Sequence, residues 1–383
     1  MEIASEYDWL QGAPGLARVT MREGGEAWLA TRYSHVRHVL SDPRFSRAYA
    51  NSPDAPRLSS EVLPPSSIMA SDPPDHARLR SAVTAPFTLR SIERLRERIA
   101  EEARGLVHGM KEAGPPADLI EALTGPLPIR GICELLGVSY ADRPVIESLA
   151  SPLRMRALDH AGRKRARAEF EEYVTGLLDA AKSAHDRDDV LTRLVAQESE
   201  NADGLTDDEM AQLVIATLVG GIGSPQTFLS SAFAALLSER SLFETLCEDP
   251  SLVPSAVEEL LRFVPVGVGG GFARVATEDV VVGDTLVRRG ETVIPAMVAA
   301  NRDASVFQDP HTITFDRVGP SHLGFGHGAH HCVGAHLARV QAQEAMSAVV
   351  RQLPNLRLAV LPEQLVWQEG LVVRDLKTLP VEW

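Results

Sequence analysis

The sequence predicts a mainly α-helical protein with a smaller β-rich portion, organised as one domain over residues 1–383. Apolar residues recur with helical periodicity from Arg78 to about Leu261. Short alternating segments typical of β-strands lie before and after this helical region. The chain shows no linker, low-complexity stretch or internal repeat, which favours one large core over two or three smaller ones.

The N-terminal elements are predicted from alternation and turn residues. Val19–Arg22 and Glu26–Thr31 alternate around a glycine pair and predict a β-hairpin, and a short helix is expected from Ser34 to Leu40. From Tyr49 to Pro74 the chain is rich in Pro, Ser and Asn, which predicts a long loop. Because long loops in compact domains are often functional, two apolar residues near its end are candidate pocket walls: Ile68 and Met69.

A long apolar helix and a mixed C-terminal region follow. Thr206 to Glu209 has the pattern of a capping box, which predicts the start of a helix that continues from Met210 to Leu237. After Arg262 the sequence predicts three short strands and a final helix: Val280–Val282, Thr285–Val287, Thr292–Ala296 and Ala335–Arg351.

Composition limits the functional classes. The formal net charge of −14 argues against nucleic acid as a general partner. No apolar run is expected to reach the ~18 residues that span a bilayer, and the N-terminus is acidic rather than basic, so a soluble, cytoplasmic protein is expected. Cys133, Cys247 and Cys332 form no disulfide pattern, which fits a reducing compartment, and Cys133 is predicted to be a buried small apolar residue.

A glycine-rich loop delivers Cys332 to the start of the last predicted helix, and it reads Phe325-Gly326-His327-Gly328-Ala329-His330-His331-Cys332-Val333-Gly334. The free N–H groups and the positive dipole end of that helix are expected to favour a thiolate. Gly326 and Gly328 allow turns that other residues avoid, and Gly334 lets the backbone lie against a flat ligand. A thiolate in this setting suits a haem iron that activates oxygen.

The loop resembles the cysteine-ligand signature of the cytochrome P-450 family, Phe-Gly-x-Gly-x-His-x-Cys-x-Gly, and matches every fixed position. The resemblance covers essentially the whole chain and is closest to soluble bacterial members. It implies a monooxygenase with haem b (iron protoporphyrin IX), Cys332 as the axial iron ligand, and Phe325, Gly326 and Gly334 against the cofactor. It also implies O₂ as co-substrate, a small organic substrate of secondary metabolism, and electrons from NAD(P)H through a ferredoxin reductase and a ferredoxin.

The two haem propionates need cationic or hydrogen-bonding partners. By resemblance four residues at motif positions are the expected partners: His76, Arg80, Arg274 and His330. The alternative for each is ordinary surface solvation. Five histidines crowd around Cys332, so zinc is a second alternative, although structural zinc normally takes paired Cys or His units that this loop lacks: His322, His327, His330, His331 and His336.

Glu259 and Arg262 stand at i, i+3 spacing, where they can pair. Alone, such a pair is often a surface ion pair of little consequence. The resemblance implies instead a buried Glu-x-x-Arg element that is locked to a later segment containing Ala300–Asp303 and Phe315–Arg317.

The long helix departs from the family pattern. Most relatives carry an acid followed by Thr in mid-helix, and these two groups relay protons to bound dioxygen. Counting back about thirty-five residues from Glu259 gives Ser224 at the Thr position, while Gly223 replaces the acid. Ser224 is therefore the predicted proton-handling residue, with Gln226 as the nearest polar substitute for the missing carboxylate.

Pro225 and the neighbouring glycines are expected to loosen this helix into a bulge that makes room over the iron, although a packing kink is the simpler alternative. The missing acid suggests proton delivery through water, Ser224 or the substrate, or else chemistry such as coupling, desaturation or peroxide use. No Arg lies between Met210 and Leu237, where peroxide-using relatives place one. Two further residues are candidates for lining the substrate pocket: Ile222 and Val266.

Two alternatives stay open. A basic stretch is either a solvated helix face or a docking site for an acidic substrate or a carrier protein: Arg154, Arg156, Arg163, Lys164, Arg165 and Arg167. The whole chain is either an enzyme or a non-catalytic helper with the same fold, and Cys332 favours the enzyme because helpers generally lack the cysteine.

Overall fold

Helices form most of the fold. The computed structural model describes residues 5–21, 23, 25–57, 62–153, 159–183, 189–198, 204–267, 272–370 and 373–383. The helices are α1 (Glu6–Gly12), α2 (Tyr33–Ser41), α3 (Arg47–Ala50), α4 (Asp75–Thr84), α5 (Leu89–Ala113), α6 (Pro126–Leu136), α7 (Arg143–Leu153), α8 (His160–Lys182), α9 (Val190–Glu198), α10 (Asp207–Ser238), α11 (Arg240–Glu248), α12 (Val253–Phe263), α13 (Met297–Ala300) and α14 (Ala335–Gln352).

The strands are short: β1 (Ala17–Thr20), β2 (Glu26–Ala30), β3 (Phe45–Ser46), β4 (Ala117–Asp118), β5 (Arg274–Ala276), β6 (Val280–Val282), β7 (Thr285–Val287), β8 (Thr292–Pro295), β9 (Arg357–Leu358) and β10 (Pro380–Glu382). They form a sheet in the order β1-β2-β8-β5-β3, a sheet in the order β4-β10-β9, and the separate pair β6-β7. Strand β2 runs parallel to β8, with Trp28 opposite Val293, and the other pairs are antiparallel. The predicted fold class is confirmed, as are the β1-β2 and β6-β7 hairpins, although Arg22 and Gly24 lie outside the described residues.

The main core lies between the long helices. Helix α14 packs along α5, and α10 packs against α6 and α8. Phe170, Phe233 and Ile132 are among the largest fully buried side chains there, and Cys133 is buried as predicted. A second apolar cluster under the first sheet includes Tyr33, Phe45, Val293 and Phe307. This arrangement surrounds α10 with protein on most sides.

Helix α10 begins at the predicted capping box. The Glu209 N–H donates to Thr206 Oγ1 at 3.2 Å and the Thr206 N–H donates to Glu209 Oε2 at 2.9 Å. The helix continues through Pro225 without interruption, so the predicted bulge is wrong. By length and composition α10 could cross a membrane, so the expectation that no apolar run is long enough is wrong, but 56% of its most apolar 18 residues are buried inside the protein.

Candidate functional site

The cysteine loop turns on two glycines before α14. Gly326 and Gly328 have φ of 74° and 73°, which favours glycine, and a Cβ on Gly328 would lie 2.4 Å from the Leu40 carbonyl oxygen of α2. The Cys332 N–H donates to the Phe325 carbonyl at 2.9 Å and closes the loop. The glycines therefore fix where Cys332 stands, one turn before Ala335.

The environment of Cys332 differs from the predicted one. The residue is exposed, yet the protein around its thiol desolvates it, and this burial raises the pKa of Cys332. A hydrogen bond from the Gly334 N–H and the charges of Arg80 and Arg339 act in the opposite direction but do not prevail. The helix end alone therefore does not produce the predicted thiolate, whereas coordination to a metal would, because a coordinating thiol is deprotonated.

The four predicted propionate partners come together near Cys332. The ring centroids of His76 on α4 and His330 in the loop lie 4.0 Å apart. Burial, followed by the charges of Arg274 and His76, lowers the pKa of His330 to about 2. Burial, followed by repulsion from Arg47, lowers the pKa of Arg274 to about 9. Arg80 contributes to the lowered pKa of both His76 and His330, which places it in the same group.

The four side chains form no hydrogen bond with an acid. Within the described part of the chain, no carboxylate forms a hydrogen bond or ion pair with the side chains of His76, Arg80, Arg274 or His330. Asp72 lies close enough for its charge to favour the charged forms of His76 and Arg274, but it accepts its hydrogen bonds from Ser46 and from the N–H groups of Arg47 and Ala48. Among the described residues, Arg274, which is 3% exposed, donates to the nearby carbonyls of Phe272 and Ala273. Because the cations outnumber this one acid, and a buried cation without a hydrogen-bonded acid is costly, the group indicates a binding site for an anionic ligand.

Arg47 also belongs to this region, although no sequence motif marks it. Its guanidinium is buried, donates to the carbonyls of Met69 and Ala273, and lies 4.6 Å from the Phe272 ring centroid. Burial lowers the pKa of Arg47 to about 10. These contacts join α3, the loop and β5, so only the tertiary structure shows them.

One face of α10 is much less buried than the rest. Gly220 and Ser224 are exposed and Ala216 is half-buried, at i, i+4, i+8 spacing on an otherwise buried helix. The same helix packs against α4 and against the short turn Ile68–Ala70. We call Ala216, Gly220 and Ser224 the open stripe of α10, the helix that packs against the elements carrying His76, Arg80 and two predicted pocket residues.

The predicted pocket residues lie in different surroundings. Ile222 is 4% exposed and packs in the main core, and it points about 200° around the helix from Ser224, so its role as a pocket wall stays a prediction. Ile68, Met69 and Val266 are half-buried, and Ile68 and Val266 pack against the main core. Phe325 and Gly334 are half-buried beside Cys332.

Glu259 and Arg262 form a buried pair, which excludes the surface alternative. Arg262 Nη2 donates to Glu259 Oε1 at 2.7 Å, and the two side chains are 2% and 4% exposed. Arg262 also donates to the Asn301 and Pro310 carbonyls, and Arg317 Nε donates to Glu259 Oε2 at 2.9 Å. The predicted link from α12 to the later segment is confirmed.

The basic stretch is not one solvated face. Lys164 and Arg165 are exposed, but Arg163 is 5% exposed and Arg167 donates to Gln212 on α10. Arg154 and Arg156 lie outside the described residues.

A zinc site finds no support in the geometry. Among the residues that the structure describes, no three His, Cys, Asp or Glu side chains converge to hold a metal ion. His322 instead approaches Glu258, and Phe325 packs near His322 and His331.

The chain is similar to known proteins over most or all of its length. The sequence profile of the cytochrome P-450 family matches residues 151–367. Nocardicin C N-oxygenase from Nocardia uniformis subsp. tsuyamanensis is 40% identical over 385 residues, covering all of this chain and 96% of that protein. Mycinamicin IV hydroxylase/epoxidase from Micromonospora griseorubida is 40% identical over 383 residues, with the same coverage.

A solved structure shows the same likeness in three dimensions. The crystal structure of HinD with NMFT and NO has a TM-score of 0.95 and 39% identity, covering all of this chain and 96% of that one. The named relatives are oxygenases, which confirms the predicted enzyme class, a haem-dependent monooxygenase. The chain belongs to the cytochrome P-450 family.

Proposed function

We propose that this protein is a haem-thiolate monooxygenase that oxidises a small organic molecule in a tailoring step of natural-product synthesis. The observation that carries the proposal is the cysteine loop beside a buried and half-buried group of donors that form no hydrogen bond with an acid among the described residues. The two relatives named as an N-oxygenase and a hydroxylase/epoxidase support the reaction class.

The donor group fits haem, whose two carboxylates match unpaired buried cations and whose iron matches a cysteine sulfur. Cys332 would ligate the iron, and Arg80, Arg274, His76 and His330 would hold the propionates. Bound there, haem supplies the reductive activation of O₂ and the transfer of one oxygen atom to the substrate. The positive φ at Gly326 and Gly328 lets the loop approach a flat ligand without side chains in the way.

Ser224 would handle protons on the open stripe of α10. Its Oγ donates to the Gly220 carbonyl at 2.9 Å, which fixes the hydroxyl and leaves its lone pairs free to accept a proton. Because Gly223 brings no carboxylate, proton supply has to come from outside this turn of α10. Coupling or desaturation is the second candidate reaction, and it needs the same proton supply, because the reduction of O₂ consumes protons before either reaction can occur.

The remaining parts of the proposal concern partners and location. Electrons would come from NAD(P)H through a ferredoxin reductase and a ferredoxin in the cytoplasm, as is general for bacterial relatives. In the described part of the basic stretch, a carrier protein could contact Lys164 and Arg165, which are exposed, whereas Arg163 is buried and Arg167 is bonded to Gln212. We therefore favour a free small molecule.

Replacement of Cys332 tests the haem-thiolate assignment. We expect Cys332→Ser to abolish the carbon-monoxide absorption band of a thiolate-ligated haem, whereas Cys247→Ser, at a half-buried free cysteine, leaves it unchanged. A wild-type protein that stays colourless when expressed with iron and haem precursor would refute the assignment.

A compound screen separates the enzyme from a non-catalytic helper. We expect some members of a natural-product library to shift the haem spin state of the wild-type protein. Tight binding of a partner enzyme, with no compound giving such a shift, would favour the helper.

A further inference from the structure

A buried carboxylate from the C-terminal segment contacts α10 close to the turn that lacks one. Thr227 Oγ1 donates to Asp375 Oδ1. Asp375 is 3% exposed and Thr227 is 0% exposed. Nothing in the sequence pattern links these residues, which lie 148 positions apart.

Helix geometry places this carboxylate next to the open stripe. Thr227 follows Gly223 by four residues and Ser224 by three, so these positions are neighbours on one side of α10, about 5–6 Å apart between Cβ atoms. Asp375, which is bonded to Thr227 Oγ1, therefore lies beside the row of side chains on α10 that includes position 223, where Gly223 has no side chain.

The segment that carries Asp375 is held firmly. The Arg374 N–H donates to the Val266 carbonyl at 2.9 Å, and the Gln368 N–H donates to the Asp375 carbonyl at 2.7 Å. The guanidinium of Arg374 lies 4.6 Å from the Trp367 ring centroid. No ionisable residue occurs in α10 after Glu209, so the helix surface that Asp375 contacts is uncharged.

We propose that Asp375 supplies the carboxyl group that α10 lacks at Gly223 and relays protons to Ser224. Thr227 donates to the Asp375 carboxylate in the structure, and this hydrogen bond reverses once Asp375 is protonated. The carboxyl then donates to Thr227 Oγ1, and the Thr227 hydroxyl donates to ordered water. The carboxyl gives its proton to this chain, and each oxygen passes one proton on as it receives one. Ser224 Oγ delivers the last proton to the reacting oxygen, and the Asp375 carboxylate regains a proton from solvent. This inference rests on the proposed monooxygenase function and names the proton source for it.

The test uses the haem-loaded full chain with O₂, NADPH, a surrogate ferredoxin and its reductase, and no added organic compound. Reduction of O₂ to two waters takes four protons, whereas reduction to hydrogen peroxide takes two, so the ratio of water to peroxide reports proton delivery. The variants are Asp375→Asn and Thr227→Val, which keep shape but remove the acid or the hydroxyl. Ser230→Ala is the matched control, because Ser230 is another buried hydroxyl on α10 that bonds to Thr124 instead.

We expect Asp375→Asn and Thr227→Val to lower the water-to-peroxide ratio by at least roughly tenfold, since a positioned proton donor contributes about 100-fold or more and water replaces part of it. Ser230→Ala should leave the ratio unchanged, and Asp375→Glu should restore it at least partly. In infrared spectra of the substrate-free holoprotein, a carboxyl band should vanish in Asp375→Asn and shift in Thr227→Val.

The outcomes separate this inference from the proposed function. If the variants keep the carbon-monoxide band of the wild type and an unchanged water-to-peroxide ratio, the relay is wrong while the monooxygenase assignment stands. If Asp375→Asn does not fold, the Thr227→Val ratio decides by the same criterion. A wild-type protein without that band would refute the proposed function itself.

Discussion

Arg274 shows how single residues in this protein are placed for a ligand rather than for stability. Its guanidinium is almost fully buried, it lies near Arg47, and its recorded hydrogen bonds go to neighbouring backbone carbonyls. Burying a cation without a partner costs several kcal/mol. A bound carboxylate would offset this cost, so the ligand and the fold stabilise each other.

Replacement of Arg274 should therefore have opposite effects on the stability of the apoprotein and on the retention of haem. We expect Arg274→Met to leave the thermal stability of the apoprotein unchanged or raised, and to weaken haem retention about tenfold or more, because a hydrogen bond to a charged group contributes about 1.5–3 kcal/mol. Haem transfer to apomyoglobin and thermal unfolding of the apoprotein measure the two effects. Lys164→Met, at an exposed position of α8, is the control, and equal haem retention in both variants would contradict the assignment.

At the scale of elements, α10 is shaped by small residues on two sides. Gly221 lies so close to α6 that a Cβ there would be 2.6 Å from Ile132 Cγ1. Gly220, next to it, faces open space, since no atom lies within 4 Å of its would-be Cβ. One glycine therefore serves helix packing, while the other leaves room on the stripe that carries Ser224.

These two glycines make a matched pair of predictions. Gly221→Ala should destabilise the protein by about 1–3 kcal/mol, the usual cost of overpacking, whereas Gly220→Ala should stabilise it by up to about 1 kcal/mol through helix propensity. Urea unfolding measures both. The Ile132→Ala change should relieve part of the Gly221→Ala cost in the double variant, and additive effects would contradict the contact.

At the scale of the whole molecule, Glu259 ties α12 to the segment that precedes the cysteine loop. It accepts hydrogen bonds from Arg262, Arg317 and the Thr314 N–H. Burial by itself would raise the pKa of Glu259, but the hydrogen bonds from Arg262 and Arg317 outweigh it and hold the pKa below its usual value. The charged form is therefore the one that the fold stabilises.

This pairing should make the protein sensitive to acid. The stability from a depressed pKa is fully present above the unfolded-state value near 4.5 and is lost as the pH falls through the lower folded-state value. Glu259→Gln should cost about 3–5 kcal/mol at pH 7, because it leaves buried Arg262 uncompensated, and should flatten the acid side of the stability curve. Urea unfolding between pH 7 and pH 3 measures both effects. Glu26→Gln, at a side chain that is 68% exposed, should change neither.

Local sequence was sufficient wherever neighbouring residues decide the structure. The capping box at Thr206 and the β6-β7 hairpin depend on contacts within a few residues, and both are confirmed. The cysteine loop could also be predicted from the sequence, because glycines with positive φ and the start of a helix depend on neighbouring residues alone. Its family resemblance then led to residues far apart in the chain, such as His76 and Arg274.

Contacts between distant segments could not be predicted from local sequence. The bulge at Pro225 was wrong because the surrounding core keeps α10 helical through a residue that would disfavour it alone. The sequence also did not indicate that Ile222 lies on the side of α10 that packs in the core. Arg47 and the Thr227–Asp375 pair were missed because their partners come from other elements.

The sequence by itself determined the helical fold class, the cysteine and its loop, and the cofactor that this loop implies, since these follow from periodicity and from closely spaced residues. Only the tertiary structure decided which face of α10 is open, which cations among the described residues form no hydrogen bond with an acid, and where a carboxylate meets the long helix. These features depend on side chains that folding brings together across more than 100 residues, as between Thr227 and Asp375, 148 positions apart.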